Sequence, residues 1–182
     1  VRPAYCSSYR APEAILGRRL GIEVDTWSAG ATVFELATGR RLFPEKSNNG
    51  MLHGMLKVCG AFPKRMATDG SSAAKHFTPA GDFRLKDPNL SAGELVLPMA
   101  RFAKPSRPVL QLLRDAGKEQ SETDGGEEAM CNLADLITRC LAPAPAERLT
   151  PERAMGHGFF QSLRGTMAAA VGSTPAAATK KR

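Results

Sequence analysis

The chain has 182 residues, of which 42% are hydrophobic, enough for one domain with a packed core. Its formal net charge is +7, but the basic residues are scattered and no aromatic residues are interleaved with them. That pattern disfavours a base-stacking surface, so we do not expect direct nucleic-acid binding. No apolar run approaches the ~18 residues of a membrane span, and no signal peptide is visible at the N-terminus.

The cysteines and histidines are too widely spaced to predict a metal centre. None of the four cysteines belongs to a Cys-x-x-Cys pair: Cys6, Cys59, Cys131 and Cys140. We therefore predict no zinc site and expect reduced thiols in an intracellular protein. Cys140 falls on an apolar helical stripe, which indicates a packing role.

The first elements follow from proline and glycine positions. Residues 1–12 predict an extended loop, because Pro12 disfavours the helical region for Ala11. Residues 13–16 predict a short helical turn that ends at Gly17.

The next elements are two helices. Residues 24–37 predict a helix that is apolar around most of its circumference, which is typical of a helix in the middle of a core. Gly39 is expected to end it. Ser47 or Asn48 can cap a second helix, which runs through Val58 and stops at Gly60.

Residues 61–127 are predicted to be irregular, without a convincing β-strand pattern. Residues 109–113 indicate one short helix, and the polar, acidic residues 118–128 predict a mobile loop. Local anchoring is expected from three apolar side chains: Phe77, Phe83 and Leu85.

The last part returns to helical spacing. A helix is predicted from Ala129 to Pro143, and Thr150-Pro151 starts a short one that runs to about Met155. The Ala-, Gly- and Ser-rich tail at 164–182 is predicted to be disordered. The whole is predicted to be mainly α.

Four stretches resemble the C-terminal lobe of the eukaryotic Ser/Thr protein kinases, in that family's order. They are Tyr9–Glu13 (YRAPE), Asp25–Gly30 (DTWSAG), Pro143–Thr150 (PAPAERLT) and Gly156–Phe160 (GHGFF). The first is similar to the form used by cyclin-dependent, MAP and related kinases. The resemblance implies a partial kinase domain at 1–163, with an insert at about 61–127 and without the N-lobe and catalytic loop.

A finer resemblance is to the pre-mRNA-processing kinase subfamily of the spliceosome. It rests on these residues: Leu42–Pro44, Asn48–Asn49, Met51–Leu52, Gly60–Met66 and His76–Phe77. It implies phosphorylation of protein Ser or Thr, splicing factors among the partners, and a nuclear location. The missing kinase N-terminal half is a further implied partner.

The resemblance also assigns structural roles. Glu13 and Arg148 would form a buried salt bridge that ties the end of the activation segment to the last helices. Asp25 would bind the catalytic loop in a complete domain, so within this chain we expect it to be solvated or to find a local partner. Trp27 is expected in the core.

Cys6, Ser7, Tyr9 and Arg10 are implied to form the floor of the peptide-substrate groove. Two of them depart from the family pattern. Cys6 stands where a Ser or Thr contacts the catalytic Asp, and Ser7 stands where the branch has an Arg that pairs with a phosphorylated residue. These departures favour an alternative function, a pseudokinase-like protein-binding module.

The kinase motifs that bind nucleotide and metal are not found in this sequence: the Gly-rich loop, the strand Lys, His-Arg-Asp and Asp-Phe-Gly. ATP and Mg²⁺ are therefore implied only for a complete domain, and we predict no catalytic residue, no bound cofactor and no kinase activity from this chain alone. Asp82-Phe83-Arg84 imitates the last motif but is expected to serve packing. A basic helical domain that binds RNA is a third hypothesis.

Overall fold

The computed structural model of the protein describes residues 7–117 and 126–161. Within these residues the chain forms seven α-helices and one two-stranded sheet. In chain order they are α1 (Pro12–Leu16), α2 (Glu23–Thr38), α3 (Asn48–Cys59), α4 (Lys64–Thr68), β1 (Phe83–Lys86), β2 (Glu94–Leu97), α5 (Val109–Gly117), α6 (Gly126–Cys140) and α7 (Pro151–Met155). The predicted mainly α fold is confirmed.

Helix α2 packs against α5 and α6 and ends at Gly39, which adopts a left-handed conformation with φ 67°. Trp27 is fully buried and stacks on Phe43, with ring centroids 5.7 Å apart. The helix is not buried all round, however. Ile22, just before it, and Leu36 are 75% and 81% exposed. The apolar circumference predicted a central helix, but no described element covers this face.

Of the two predicted capping residues, Ser47 and Asn48, it is Ser47 that caps α3. Ser47 Oγ accepts a hydrogen bond from the Gly50 amide at 3.0 Å, and Gly60, at φ 88°, follows the last helical residue. The buried face of α3 supplies the largest block of the core: Met51, Leu52, Met55, Leu56 and Val58.

The prediction that residues 61–127 contain no strand was wrong. Strands β1 and β2 pair antiparallel, with Phe83 opposite Leu97 and Lys86 opposite Glu94. Each strand is four residues long, too short for a period-2 pattern to stand out in the sequence. Phe83 is fully buried, as the packing interpretation of Asp82-Phe83-Arg84 predicted.

A buried amide ties this hairpin to α3. Asn49 Nδ2 donates to the Arg84 carbonyl at 2.8 Å and lies 3.1 Å from His76 Nδ1, while Asn49 Oδ1 accepts from the Lys86 amide at 2.8 Å. Burial, with Lys86 and Lys75 adding to it, lowers the pKa of His76, which favours the neutral ring that accepts from Asn49.

Asn49→Ala is expected to lower the free energy of unfolding by about 2–3 kcal/mol, because it leaves a buried ring nitrogen and two backbone groups without partners. Urea denaturation should show a lower midpoint at an unchanged slope. Asn48→Ala is the matched control, since Asn48 is exposed, and should change stability by less than about 0.5 kcal/mol. Equal losses in both variants would contradict the assigned role of Asn49.

The start of α6 differs from its prediction. The helix begins at Gly126 rather than Ala129, so residues 126–128 are not part of a loop. Glu127 and Glu128 lie in its first turn, where negative charge stabilises a helix N-terminus. The rest of the predicted mobile loop and the predicted tail at 164–182 lie outside the described residues, and the domain boundary at 163 stays a prediction.

Candidate functional site

The candidate site begins with the stretch that leads into α1. Ser7–Tyr9 form a single turn of 3₁₀ helix, and Ala11 is extended at φ −65° and ψ 151°, as expected before a proline. Gly17 closes α1 with φ 68°. Cys6 lies outside the described residues, and of Ser7 only the backbone is described.

Helix α2 holds Tyr9 from two sides. The Tyr9 hydroxyl donates to Glu35 Oε2 at 2.5 Å, and Ser28 Oγ donates to the Tyr9 carbonyl at 3.0 Å, sharing its hydrogen with the Val24 carbonyl. Tyr9 and Arg10 are both half-buried. The predicted groove floor is therefore fixed to α2 near its C-terminal end, at Tyr9.

Sequence reasoning missed the two partners of Tyr9. Ser28 and Glu35 are seven residues apart, two helical turns, and so lie on one face of α2. Two polar residues at that spacing in a helix predicted to be in the core were a usable signal.

Glu13 and Arg148 form a bidentate salt bridge across 135 positions of sequence. Arg148 Nη1 lies 2.5 Å from Glu13 Oε1 and Nη2 lies 2.7 Å from Oε2. Both residues are buried, with 2% and 3% of their surface exposed. The structure thus brings together the pair that the resemblance implied, and joins α1 to the segment between α6 and α7.

Every guanidinium hydrogen of Arg148 has an acceptor. Besides the two bonds to Glu13, the guanidinium donates to three backbone carbonyls. Nε donates to that of Ala142 at 2.9 Å, Nη1 to that of Glu23 at 3.0 Å and Nη2 to that of Pro143 at 3.4 Å. Five donors meet five acceptors, which offsets the desolvation of the buried charge.

Trp27 and Asp25 take different positions at the start of α2. The Trp27 ring lies under Arg148, whose guanidinium carbon is 5.0 Å from the ring centroid, in cation–π geometry. Asp25 is exposed. Its carboxylate is therefore hydrated, one of the two outcomes expected from the sequence.

His157 connects the Gly156–Phe160 stretch to α6. His157 Nε2 lies 2.9 Å from Asp135 Oδ2, and the Phe159 amide donates to His157 Nδ1 at 3.2 Å, so the proton of a neutral ring sits on Nε2. Burial tends to raise the pKa of Asp135, but hydrogen bonds from Arg139 and His157 outweigh it and the pKa is lowered. These contacts support the fold rather than a reaction.

The described residues were also compared with what a metal ion needs as ligands. None of them form a group of three or more metal-binding side chains. Asp82, in the Asp-Phe-Gly-like tripeptide, accepts a hydrogen bond from the Met99 amide at 3.0 Å, which stabilises the hairpin.

Across the described ranges no helix is long and apolar enough to cross a membrane.

Comparison with known proteins decides the family. A sequence model of the protein kinase domain matches residues 3–160. The chain belongs to the protein kinase family. The predicted resemblance to a Ser/Thr kinase C-lobe is confirmed, and the Glu13–Arg148 bridge and the Tyr9 anchor are therefore parts of a kinase fold.

The kinase chain is similar to three curated Ser/Thr kinases. Serine/threonine-protein kinase prp4 of Schizosaccharomyces pombe is 34% identical over 152 residues, which are 84% of this chain and 31% of that protein. Serine/threonine-protein kinase prpf4B of Dictyostelium discoideum is 34% identical over 154 residues, 84% of this chain and 19% of that protein. Serine/threonine-protein kinase AFC3 of Arabidopsis thaliana is 33% identical over 154 residues, 85% of this chain and 35% of that protein. The chain thus spans about a third or less of the length of these relatives.

Proposed function

We propose that this chain is the C-lobe part of a Ser/Thr kinase that transfers the γ-phosphate of ATP to protein Ser or Thr, with splicing factors among its substrates. Its similarity to kinases named prp4 and prpf4B supports the substrate class and a nuclear location. The observation that carries the proposal is that the segment Tyr9–Glu13 is held at both ends. Helix α2 binds it at Tyr9, and Arg148 binds it at Glu13.

In this proposal Cys6, Ser7, Tyr9 and Arg10 line the floor beneath the bound peptide. Their role is to position the substrate, and no residue of this chain takes or gives the transferred phosphoryl group. Glu13, Arg148 and Trp27 keep the floor in place, because they connect it to α2 and to the last helices. Asp25, exposed on α2, is available to a catalytic loop supplied by the rest of the domain.

We further propose that these residues alone are inactive. Phosphoryl transfer needs a cradle for the phosphates, bound Mg²⁺ and an oriented nucleophile. The N-terminal part of a complete kinase domain supplies these groups, and ATP and Mg²⁺ bind there.

The test compares two proteins: this chain alone, and the full-length protein that carries it. Each is incubated with γ-labelled ATP, Mg²⁺ and a basic Ser-containing protein. We expect transfer by the full-length protein and none by the chain alone. Arg40→Ala serves as a control and should leave the rate unchanged, because Arg40 is exposed and makes none of the contacts that hold Tyr9 and Glu13.

Two outcomes would overturn the proposal. Phosphoryl transfer by the chain alone would show that its residues do bind ATP. A full-length protein that is folded but transfers no phosphate, while it still binds proteins, would instead establish the pseudokinase-like binding module. The departures at Cys6 and Ser7 favour that second function.

A further inference from the structure

A cluster of cations lies where the end of α3 meets the segment that follows β2. We call it the basic surface, and it consists of Lys57, Arg101, Lys104 and Arg107 around His53. Arg101, Lys104 and Arg107 are exposed, and Lys57 and His53 are half-buried. None of the roles proposed above uses these residues.

The backbone beneath the basic surface is held in place by packing. The His53 ring stacks on Phe83 at 5.7 Å between centroids and meets the edge of Phe102 at 6.1 Å. The Arg107 amide donates to the Lys57 carbonyl at 3.0 Å. The cations therefore project from a fixed frame of helix, hairpin and turn.

These cations lack the carboxylates that neutralise other arginines. Arg84, Arg139 and Arg148 each form a salt bridge with an Asp or Glu. Among the described residues, none of the four cations of the basic surface has such a partner within 4.0 Å. Lys57 and Arg101 are close enough to His53 to add to the effect of burial in lowering its pKa. Positive charge is thus concentrated there without internal compensation.

We propose that the basic surface binds a phosphorylated Ser or Thr segment of a protein partner. A phosphate brings close to two negative charges and three acceptor oxygens, so one group can bond several of these cations at once. A single carboxylate offers two oxygens and one charge.

RNA fits this surface less well. The aromatic rings next to the cations, Phe83 and Phe102, are 0% and 4% exposed and already packed against His53. They offer no free face on which a base could stack. Proteins that bind single strands without sequence preference rely on such stacking. Three of the four cations also lie within one seven-residue segment, 101–107, rather than along an extended track.

Fluorescence anisotropy with the full-length protein tests this surface. The probe is a fluorescein-labelled Gly-Ser peptide that carries several phosphoserines. Arg101→Gln/Arg107→Gln is expected to weaken its binding by about tenfold or more, because two charge-assisted contacts are lost. The matched control, Arg40→Gln/Arg41→Gln, removes the same charge from an exposed pair elsewhere and should weaken binding less than about twofold. Thermal melting establishes that both variants are folded.

Three results would overturn the proposal. Equal weakening in the two double variants would mean that the peptide senses only net charge. Equal affinity for a peptide with Glu in place of each phosphoserine would reject phosphate recognition. Preferential binding of an RNA oligomer of matched charge, lost in Arg101→Gln/Arg107→Gln, would assign the surface to nucleic acid. Because Arg101 and Arg107 make none of the contacts that hold Tyr9 and Glu13, phosphotransfer by this variant should match that of the unchanged protein. Failure of this proposal is therefore distinguishable from failure of the proposed function.

Discussion

Arg148→Ala is expected to lower the free energy of unfolding by about 3–5 kcal/mol, the largest loss we predict for a single substitution in this chain. The substitution leaves the Glu13 carboxylate buried without its cation, and three carbonyls lose their donor. Trp27 also loses the guanidinium that covers its ring. Urea denaturation of the full-length protein, with and without the substitution, measures the effect.

Two controls separate this pair from surface charge. Arg139→Ala removes an exposed cation that pairs with Asp135 four residues earlier, and should change stability by only about 0.2–1 kcal/mol. Glu13→Leu/Arg148→Met replaces both charges by apolar groups and should destabilise less than Arg148→Ala, since no buried charge is left unpaired. A loss in Arg148→Ala no larger than in Arg139→Ala would mean that the bridge does not hold α1 in place.

The helices were predictable because their signals are local. Gly17 and Gly39, which end α1 and α2, and Ser47, which caps α3, each act within one turn of the residues they affect. The hairpin was missed for the opposite reason. Its strands are short, and Asn49, which holds one edge, is more than thirty residues away in sequence.

The candidate site also contains contacts that the sequence could suggest and contacts that it could not. The Glu13–Arg148 pair is 135 positions apart and has no local signal, so only the motif order of a known family could suggest it. The Tyr9–Glu35 contact belongs to no motif that we recognised, and periodicity in α2 was interpreted as burial alone. Periodicity predicts which residues share a face, but not whether a neighbour covers that face.

The open face of α2 leads to the second large effect. Ile22, Asp25, Ala29, Thr32 and Leu36 recur at spacings of three and four, and all are exposed, while Trp27, Gly30, Ala31 and Phe34 on the opposite face are buried. We expect the exposed Ile and Leu on this face to contact another protein part. In the proposed complete kinase that part is the rest of the domain. We therefore expect the isolated chain to aggregate or to capture a partner.

Ile22→Lys/Leu36→Lys should act in opposite directions in two contexts. In the isolated chain it should favour a monodisperse monomer, measured by light scattering, because both side chains are exposed there. In the full-length protein it should lower stability by roughly 3–6 kcal/mol, the burial energy of two such side chains, measured by thermal or chemical unfolding.

Leu95→Lys/Val96→Lys is the matched control for that variant, because these residues are 46% and 45% exposed on the hairpin. It should leave the stability of the full-length protein nearly unchanged, since we expect no further element to cover the hairpin. A cooperative, monodisperse melt of the unmodified chain would contradict the expectation that its α2 face needs a cover. Equal stability of the full-length protein with and without Ile22→Lys/Leu36→Lys would show that the face stays open there, and the rest of the domain would then have to pack elsewhere.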